Sequence, residues 1–214
     1  MKNFKGAIFD VDGTLLDSMP AWENLGSDYL KSQGIQPRPD LREELRILGG
    51  HQIPEYFRSE YGVIGSVDEI QSALNGMLED FYFNKSMAKD GVVEMLEALS
   101  KNTKMCVATA TDRHLVAPAL ERCGLTKYFS RIFTCGEEDT NKSSPDIYLR
   151  AAEHLGTAVS ETIVFEDALY AVKTAKEAGF IVAGIYDLSA QEGQDEIRSI
   201  CDIYLKSWRD FEKP

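Results

Sequence analysis

Two kinds of hydrophobic pattern alternate along this chain. Short dense apolar runs give way to longer stretches in which apolar residues recur every three or four positions. The first run, Ala7-Ile8-Phe9, stops abruptly at Asp10-Val11-Asp12-Gly13-Thr14. A run this short, bounded by glycine, predicts a buried strand. From Ser18 to about Lys89 such runs are absent and helical spacing takes over. Trp22, Leu25, Tyr29 and Leu30 predict a helix ending near Gly34. After the loop Gln36-Pro37-Arg38-Pro39, Asp40 is placed to cap a second helix through Leu41, Leu45 and Leu48 toward Gly49-Gly50. Ile53, Tyr56 and Phe57 predict a third helix, and Ile70, Leu74, Leu78 and Phe81 a fourth.

At Asp90, a candidate N-cap for a helix burying Val93, Leu96 and Leu99, the strand–helix rhythm resumes. Strands are predicted over Lys104 to Thr109, Arg131 to Thr134, Thr162 to Phe165 and Ile181 to Ile185, with a last short one near Ile203-Tyr204. Helices between them carry Leu115, Ala119, Leu120 and Cys123; then Ile147, Tyr148, Ala151, Ala152 and Leu155; then Leu169, Val172 and Ala175. Pro118 predicts a kink or a late start in the first of these. Ser144-Pro145 predicts an N-cap and first-position pair for the second. This alternation predicts an α/β fold with a Rossmann-like, doubly wound parallel sheet and an inserted all-helical domain. The expected boundaries are residues 1–17 and 90–214 for the core domain and 18–89 for the insert.

The balance of charge narrows the partners. A net charge of -12 over 214 residues argues against a nucleic-acid backbone. It leaves small anions open, since a local metal and lysine override the global field. A hydrophobic content of 43% is ample for a core, yet no apolar run approaches the ~18 residues of a membrane helix. Met1-Lys2-Asn3-Phe4-Lys5 runs straight into the first strand, leaving no room for a signal peptide. Cys106, Cys123, Cys135 and Cys201 show no C-x-x-C pairing and read as reduced thiols, which points to the cytoplasm.

Chemistry gathers where strands end. In parallel α/β sheets ligands lie outside the carboxyl ends of strands, where Asp10 and Asp12 fall. Carboxylates that close repel unless a cation or shared proton relieves them, and magnesium takes oxygen ligands while tolerating phosphate. Thr109 closes the strand Met105-Cys106-Val107-Ala108, where a hydroxyl followed by backbone amides can hold a phosphate oxygen; alone it reads as an ordinary β-branched residue closing a strand. Lys142, in the polar loop before Ser144-Pro145-Asp146-Ile147-Tyr148-Leu149, reads alone as a solvated charge. Glu166-Asp167 follows a strand and is expected to open a helix, where acids also suit the dipole.

Together, Asp-Val-Asp-Gly-Thr-Leu-Leu-Asp-Ser, the strand ending in Thr109, Lys142 with its downstream context, and Glu166-Asp167 resemble the four ordered motifs of the haloacid dehalogenase superfamily. The resemblance spans nearly the whole chain. It implies Asp10 as nucleophile, Asp12 as general acid and base with its backbone carbonyl on the metal, and Lys142 screening the charge. It further implies Thr109 and the Ala110 amide as phosphate holders, and Asp10, Asp12, Asp167 and Glu166 as the Mg2+ site. Ser143, Ala168 and Ala171 depart from the usual pattern but leave these groups intact. Retention of Asp12 points to phosphoryl chemistry rather than dehalogenation. The insert resembles the family's small helical cap, with Glu23, Arg42, Arg46, His51 and Arg58 as candidate substrate contacts; His114 and His154 read as helix-surface residues.

The expected function is a Mg-dependent phosphatase that hydrolyses a small phosphorylated metabolite through an aspartyl-phosphate, working as a monomer or weak homodimer. The alternative is a β-phosphoglucomutase-like phosphosugar isomerase, and the third reading a non-enzymatic binding protein on the same fold. The intact Asp10, Asp12, Lys142, Glu166 and Asp167 argue against the last.

Overall fold

The computed structural model describes residues 4–46, 48 and 52–211. The chain divides into two compact units: Met1–Ser18 together with Ser86–Pro214, and Met19–Lys85.

The first unit holds a six-stranded sheet built from β1 (Gly6–Phe9), β2 (Lys104–Thr109), β3 (Ile132–Thr134), β4 (Thr162–Glu166), β5 (Ile181–Ile185) and β6 (Ile203–Leu205). The order is β3-β2-β1-β4-β5-β6 and each neighbouring pair runs parallel. The N-terminal strand is therefore interior, with Phe9 opposite Val107 on one side and Phe165 on the other. All four residues of β1 are buried, as a parallel strand covered on both faces requires.

Successive side chains enter opposite layers. Ile8, Cys106, Ala108, Val164 and Val182 pack with α7 (Asp146–Leu155), α8 (Leu169–Glu177) and α9 (Gln194–Ile200) in one continuous core. On the other side Phe9 stacks on Phe165 with ring centroids 4.5 Å apart, and Trp208 and Phe211 pack against that pair. Helices α5 (Val92–Leu99) and α6 (Arg113–Arg122) complete the unit.

Several helix starts differ from expectation. Asp90 does not cap α5; Gly91 does, at φ 86°, and Asp90 instead pairs with Arg209. A side chain on Gly91 would meet Arg209 and Trp208 at 3.1–3.2 Å, so the site needs glycine twice over. The buried face of α5 is Val92, Met95, Leu96 and Leu99, while Val93 is 40% exposed. That i, i+3, i+4, i+7 stripe is what a helix buries, whereas the expected 93, 96, 99 spacing drifts off it. Helix α6 begins at Arg113, so Pro118 lies inside it rather than delaying it. Pro145 is the N-cap of α7 rather than its first residue. Glu166 is the last residue of β4 and α8 opens only at Leu169, so the two acids precede the helix.

The second unit comprises α1 (Met19–Ser32), α2 (Leu41–Arg46), α3 (Ile53–Tyr61) and α4 (Val67–Asn84) around Tyr29, Leu30, Leu41, Phe57, Val63, Ile70 and Leu74. Ser66 and Glu69 form a reciprocal capping box at the start of α4. Tyr82, not Phe81, is the fully buried aromatic residue of its last turns, and its hydroxyl accepts from Trp22 Nε1 at 2.8 Å. Helix α2 stops before Leu48, which sits in a bend; Gly49, Gly50 and His51 lie outside the described residues.

Candidate active site

The register of the three central strands brings Asp10, Thr109 and Glu166 to one edge of the sheet, with Asp167 following directly. Asp10 N donates to Phe165 O at 3.0 Å, which extends the ladder one residue past β1 and ties the aspartate to β4. Lys142 is 4% exposed and its ammonium donates to Asp10 Oδ1 and, at 2.6 Å, to Glu166 Oε1. Glu166 Oε1 also accepts from the hydroxyl of Tyr148, at 2.7 Å. A lysine from a polar loop thus becomes a fully enclosed charge with two carboxylate partners.

Asp10, Glu166 and Asp167 each offer a ligand oxygen, and these oxygens lie within 4.8 Å of one another. Burial raises the Asp10 carboxyl from 3.8 to about 7; Lys142 opposes this, while Glu166 and Asp12 add to it. Asp167 is likewise raised well above its usual range by burial, then by the charges of Asp10 and Glu166. Burial presses the Lys142 ammonium down, but Asp10 and Glu166 outweigh it and hold the group firmly protonated. Three carboxylates facing one ammonium leave an excess of negative charge that a buried site does not tolerate without further compensation. Glu166 Oε2 is buried and has no hydrogen-bond partner among the described residues. An oxygen-only donor set with one orphaned carboxylate oxygen fits a hard divalent cation.

Asp12 is arranged differently. Its Oδ1 accepts from Ser18 Oγ at 2.6 Å and its Oδ2 from Thr111 Oγ1 at 2.7 Å, so its side chain stands outside the three-acid cluster. Thr109 is wholly buried and its Oγ1 accepts from Thr111 N at 3.1 Å, leaving its own proton to donate; Ala110 is exposed at the strand end.

The profile of the family described as "Haloacid dehalogenase-like hydrolase" matches residues 7–185. This chain belongs to that family. The match runs from β1 through β5 and so takes in every residue of the cluster. The chain is 30% identical over 183 residues to the "Phosphorylated carbohydrates phosphatase" of Thermotoga maritima, covering 82% of each chain. It is 25% identical over 184 residues to the fructose-1-phosphate phosphatase of Escherichia coli, covering 83% of this chain and 94% of that one. A Thermotoga maritima structure described as a candidate beta-phosphoglucomutase superposes with TM-score 0.83 at 24% identity, over 94% of both chains, a likeness of fold.

Within this haloacid dehalogenase-like hydrolase, Asp10, Lys142, Glu166 and Asp167 are gathered into one cluster, and Asp12 and Thr109 meet through their shared neighbour Thr111. The side chains expected in the insert are more dispersed in role. Arg42 pairs with Glu23, and Arg58 with Glu55. The side chain of Arg46 lies outside the described residues. His154 sits against Ser130 Oγ at 3.0 Å and edge-on to Phe133, and His114 is exposed.

Sequence reasoning passed over four side chains that hold this site. Ser18 and Thr111 fix Asp12, Tyr148 fixes Glu166, and Trp208 Nε1 donates to Thr14 O at 2.9 Å. Ser18 and Thr111 carried a signal, Ser18 as the hydroxyl that closes the first motif and Thr111 as one two residues past Thr109. Trp208 is 194 residues from Thr14 and carried none.

Proposed function

We propose that this chain hydrolyses a small phosphorylated carbohydrate in a magnesium-dependent reaction that passes through an aspartyl-phosphate on Asp10. Its family membership and its phosphatase relatives make it a hydrolase of phosphoric monoesters. The observation that carries the finer reading is the Lys142 ammonium bridging Asp10 and Glu166 inside a cluster of three buried acids. A carboxylate with its charge screened in a dry site is an activated nucleophile, and a surface ion pair would not be.

In this reading Asp10 attacks phosphorus, and Asp12 gives its proton to the departing sugar oxygen, so the phosphorus–oxygen bond breaks without expelling a bare alkoxide. Asp12, now ionised, takes a proton from water, which attacks the phosphoryl group and releases Asp10 and inorganic phosphate. Thr109 Oγ1 and the Ala110 amide donate to the phosphoryl oxygens. Lys142 neutralises charge that otherwise repels the dianionic ester. Asp10, Asp167 and the Asp12 carbonyl would hold Mg2+, with Glu166 as a further ligand or outer partner, and the ion would supply Lewis-acid charge stabilisation.

The helical unit Met19–Lys85 is read as a cap that excludes water and selects the substrate. The four free cysteines suit a reducing compartment, so we read the setting as cytoplasmic and the working form as a monomer or weak homodimer.

A panel of sugar phosphates, assayed with and without Mg2+ and with Asp10→Asn as control, tests this. Phosphate release that requires both Mg2+ and Asp10 supports it. Consumption of β-glucose 1-phosphate without phosphate release, given a bisphosphate primer, overturns it in favour of a mutase.

A further inference from the structure

One enclosed charge near the nucleophile loop has no part in the scheme above. Lys89 lies on the segment that runs beside this loop, where Lys89 N donates to Leu15 O at 2.9 Å. Its side chain is only 17% exposed. Its ammonium donates to Gly13 O, to Tyr186 O at 3.2 Å and to Asp187 Oδ2 at 2.6 Å. Asp187 is in turn anchored, its Oδ1 accepting from Ser189 N at 2.9 Å and Ser189 Oγ at 2.6 Å. The ammonium is thus aimed by a fixed carboxylate at one backbone carbonyl of the Asp-Val-Asp-Gly-Thr turn.

That carbonyl belongs to the most permissive residue of the turn. Gly13 adopts φ 77°, a conformation glycine enters and leaves freely. Gly13 N donates to Leu16 O at 3.0 Å, and Gly13 O is taken by Lys89. A trans peptide is planar with N–H and C=O opposed, so fixing Gly13 N–H fixes the direction of the Asp12 carbonyl. Fixing Gly13 O holds the plane on the other side. With both planes tied, the glycine hinge next to Asp12 is locked. Against apolar residues of similar size a buried ion pair adds little stability, although removing one partner leaves the other buried and unpaired, so stability alone does not account for the aim of the ammonium at Gly13 O.

We propose that Lys89, aimed by Asp187, is a positioning residue: it locks Gly13 and so presents the Asp12 carboxyl for proton transfer to the leaving group. This rests on the phosphatase reading and extends it to a residue that touches neither phosphate nor metal. Proton donation matters for a sugar or alkyl leaving group and hardly at all for p-nitrophenolate, which departs unaided. The parameter kcat/KM reports the steps through departure of the leaving group, so it isolates this effect.

The test measures kcat/KM for Lys89→Met, Lys89→Arg and Asp187→Asn on a hexose phosphate and on p-nitrophenyl phosphate. It is paired with hydrogen–deuterium exchange of the peptide covering residues 11–17. Lys89→Met is expected to lose about 30-fold on the hexose phosphate and no more than about threefold on p-nitrophenyl phosphate. Asp187→Asn should lose less in the same direction, and Lys89→Arg should recover most of the rate. Exchange in residues 11–17 should rise about tenfold in Lys89→Met. Equal losses on the two substrates, or unchanged exchange, overturn the proposal. A wild type inactive on both substrates defeats the phosphatase reading instead, and the exchange result then decides whether Lys89 holds the turn.

Discussion

Replacing Asp10 by Asn should abolish turnover and, without metal, make the protein more stable. The Asp10 carboxyl is 5% exposed and is pushed from 3.8 to about 7, first by burial and then by Glu166 and Asp12 against the pull of Lys142. Between those pH values the native state keeps a proton that the unfolded chain has released. Stability therefore falls as pH rises from about 4 to about 7, and the full penalty is present above about 7. The interval corresponds to about 4 kcal/mol, of which roughly half remains at pH 5.5. The amide of the Asp10→Asn variant carries no charge and can still accept from Lys142, so it escapes the penalty. For a chain of this size the gain is worth about 8–16 °C in apparent Tm at pH 8 in EDTA. Differential scanning calorimetry at pH 8 and 5.5, with and without 10 mM Mg2+, is the assay. The gap should narrow at pH 5.5 and again with Mg2+, which lowers the cost of the wild-type carboxylates. A variant melting at or below the wild type at pH 8 in EDTA would refute the account of the cluster as electrostatically strained.

Three further outcomes follow from side chains around the site. Tyr148→Phe removes the hydroxyl on Glu166 Oε1; the Mg2+ concentration for half-maximal thermal stabilisation should rise about tenfold while kcat at saturating Mg2+ stays within about threefold. Trp208→Phe leaves the buried Thr14 carbonyl without its donor, so urea denaturation should show a loss of about 1–3 kcal/mol. For Asp187, burial alone raises its carboxyl, but hydrogen bonds from Lys89 and Ser189 outweigh it and leave it below 3.8. Its stabilisation is complete above the unfolded value near 3.9 and is lost as pH falls through the folded value. The urea midpoints of wild type and Asp187→Asn should therefore differ at pH 6, and the gap should close progressively as pH falls below the usual carboxylate range.

The strands were the most legible part of this fold, because a parallel strand covered on both faces must be apolar at nearly every position. Ile181 to Ile185 is such a run, and β5 has those bounds. Helix starts were less legible, since they turn on backbone conformation. Asp90 carries the side chain of a cap, yet the left-handed Gly91 beside it takes the position because Arg209 draws Asp90 away. At the candidate site the acids and Lys142 stood out because charge at the end of an apolar run is conspicuous. Asp12 showed the limit of spacing as a guide. Alternation along a strand suggests that it shares a direction with Asp10, but β1 has already ended at Phe9, and two hydroxyls hold its carboxylate aside. Nothing local announced Tyr148, Lys89 or Trp208, whose partners at the site lie 18, 76 and 194 positions away along the chain.

The place of β1 in the sheet also sets an order of assembly during synthesis. This strand emerges first among the six yet lies between β2 and β4, the nearer of which follows about a hundred residues later. At about 5–20 residues per second, β1 waits on the order of 5–20 s for its first neighbour. The stretch Met19–Lys85, whose internal contacts are contiguous in sequence, needs no such wait and can fold on the ribosome meanwhile. The turn bearing Asp12 receives its last tie only when Trp208 is made. A nascent chain arrested before Trp208 would hold all the acids, Lys142 and Lys89 but leave the Thr14 carbonyl without its donor, so the site is completed late, after nearly everything that carries the chemistry has been translated.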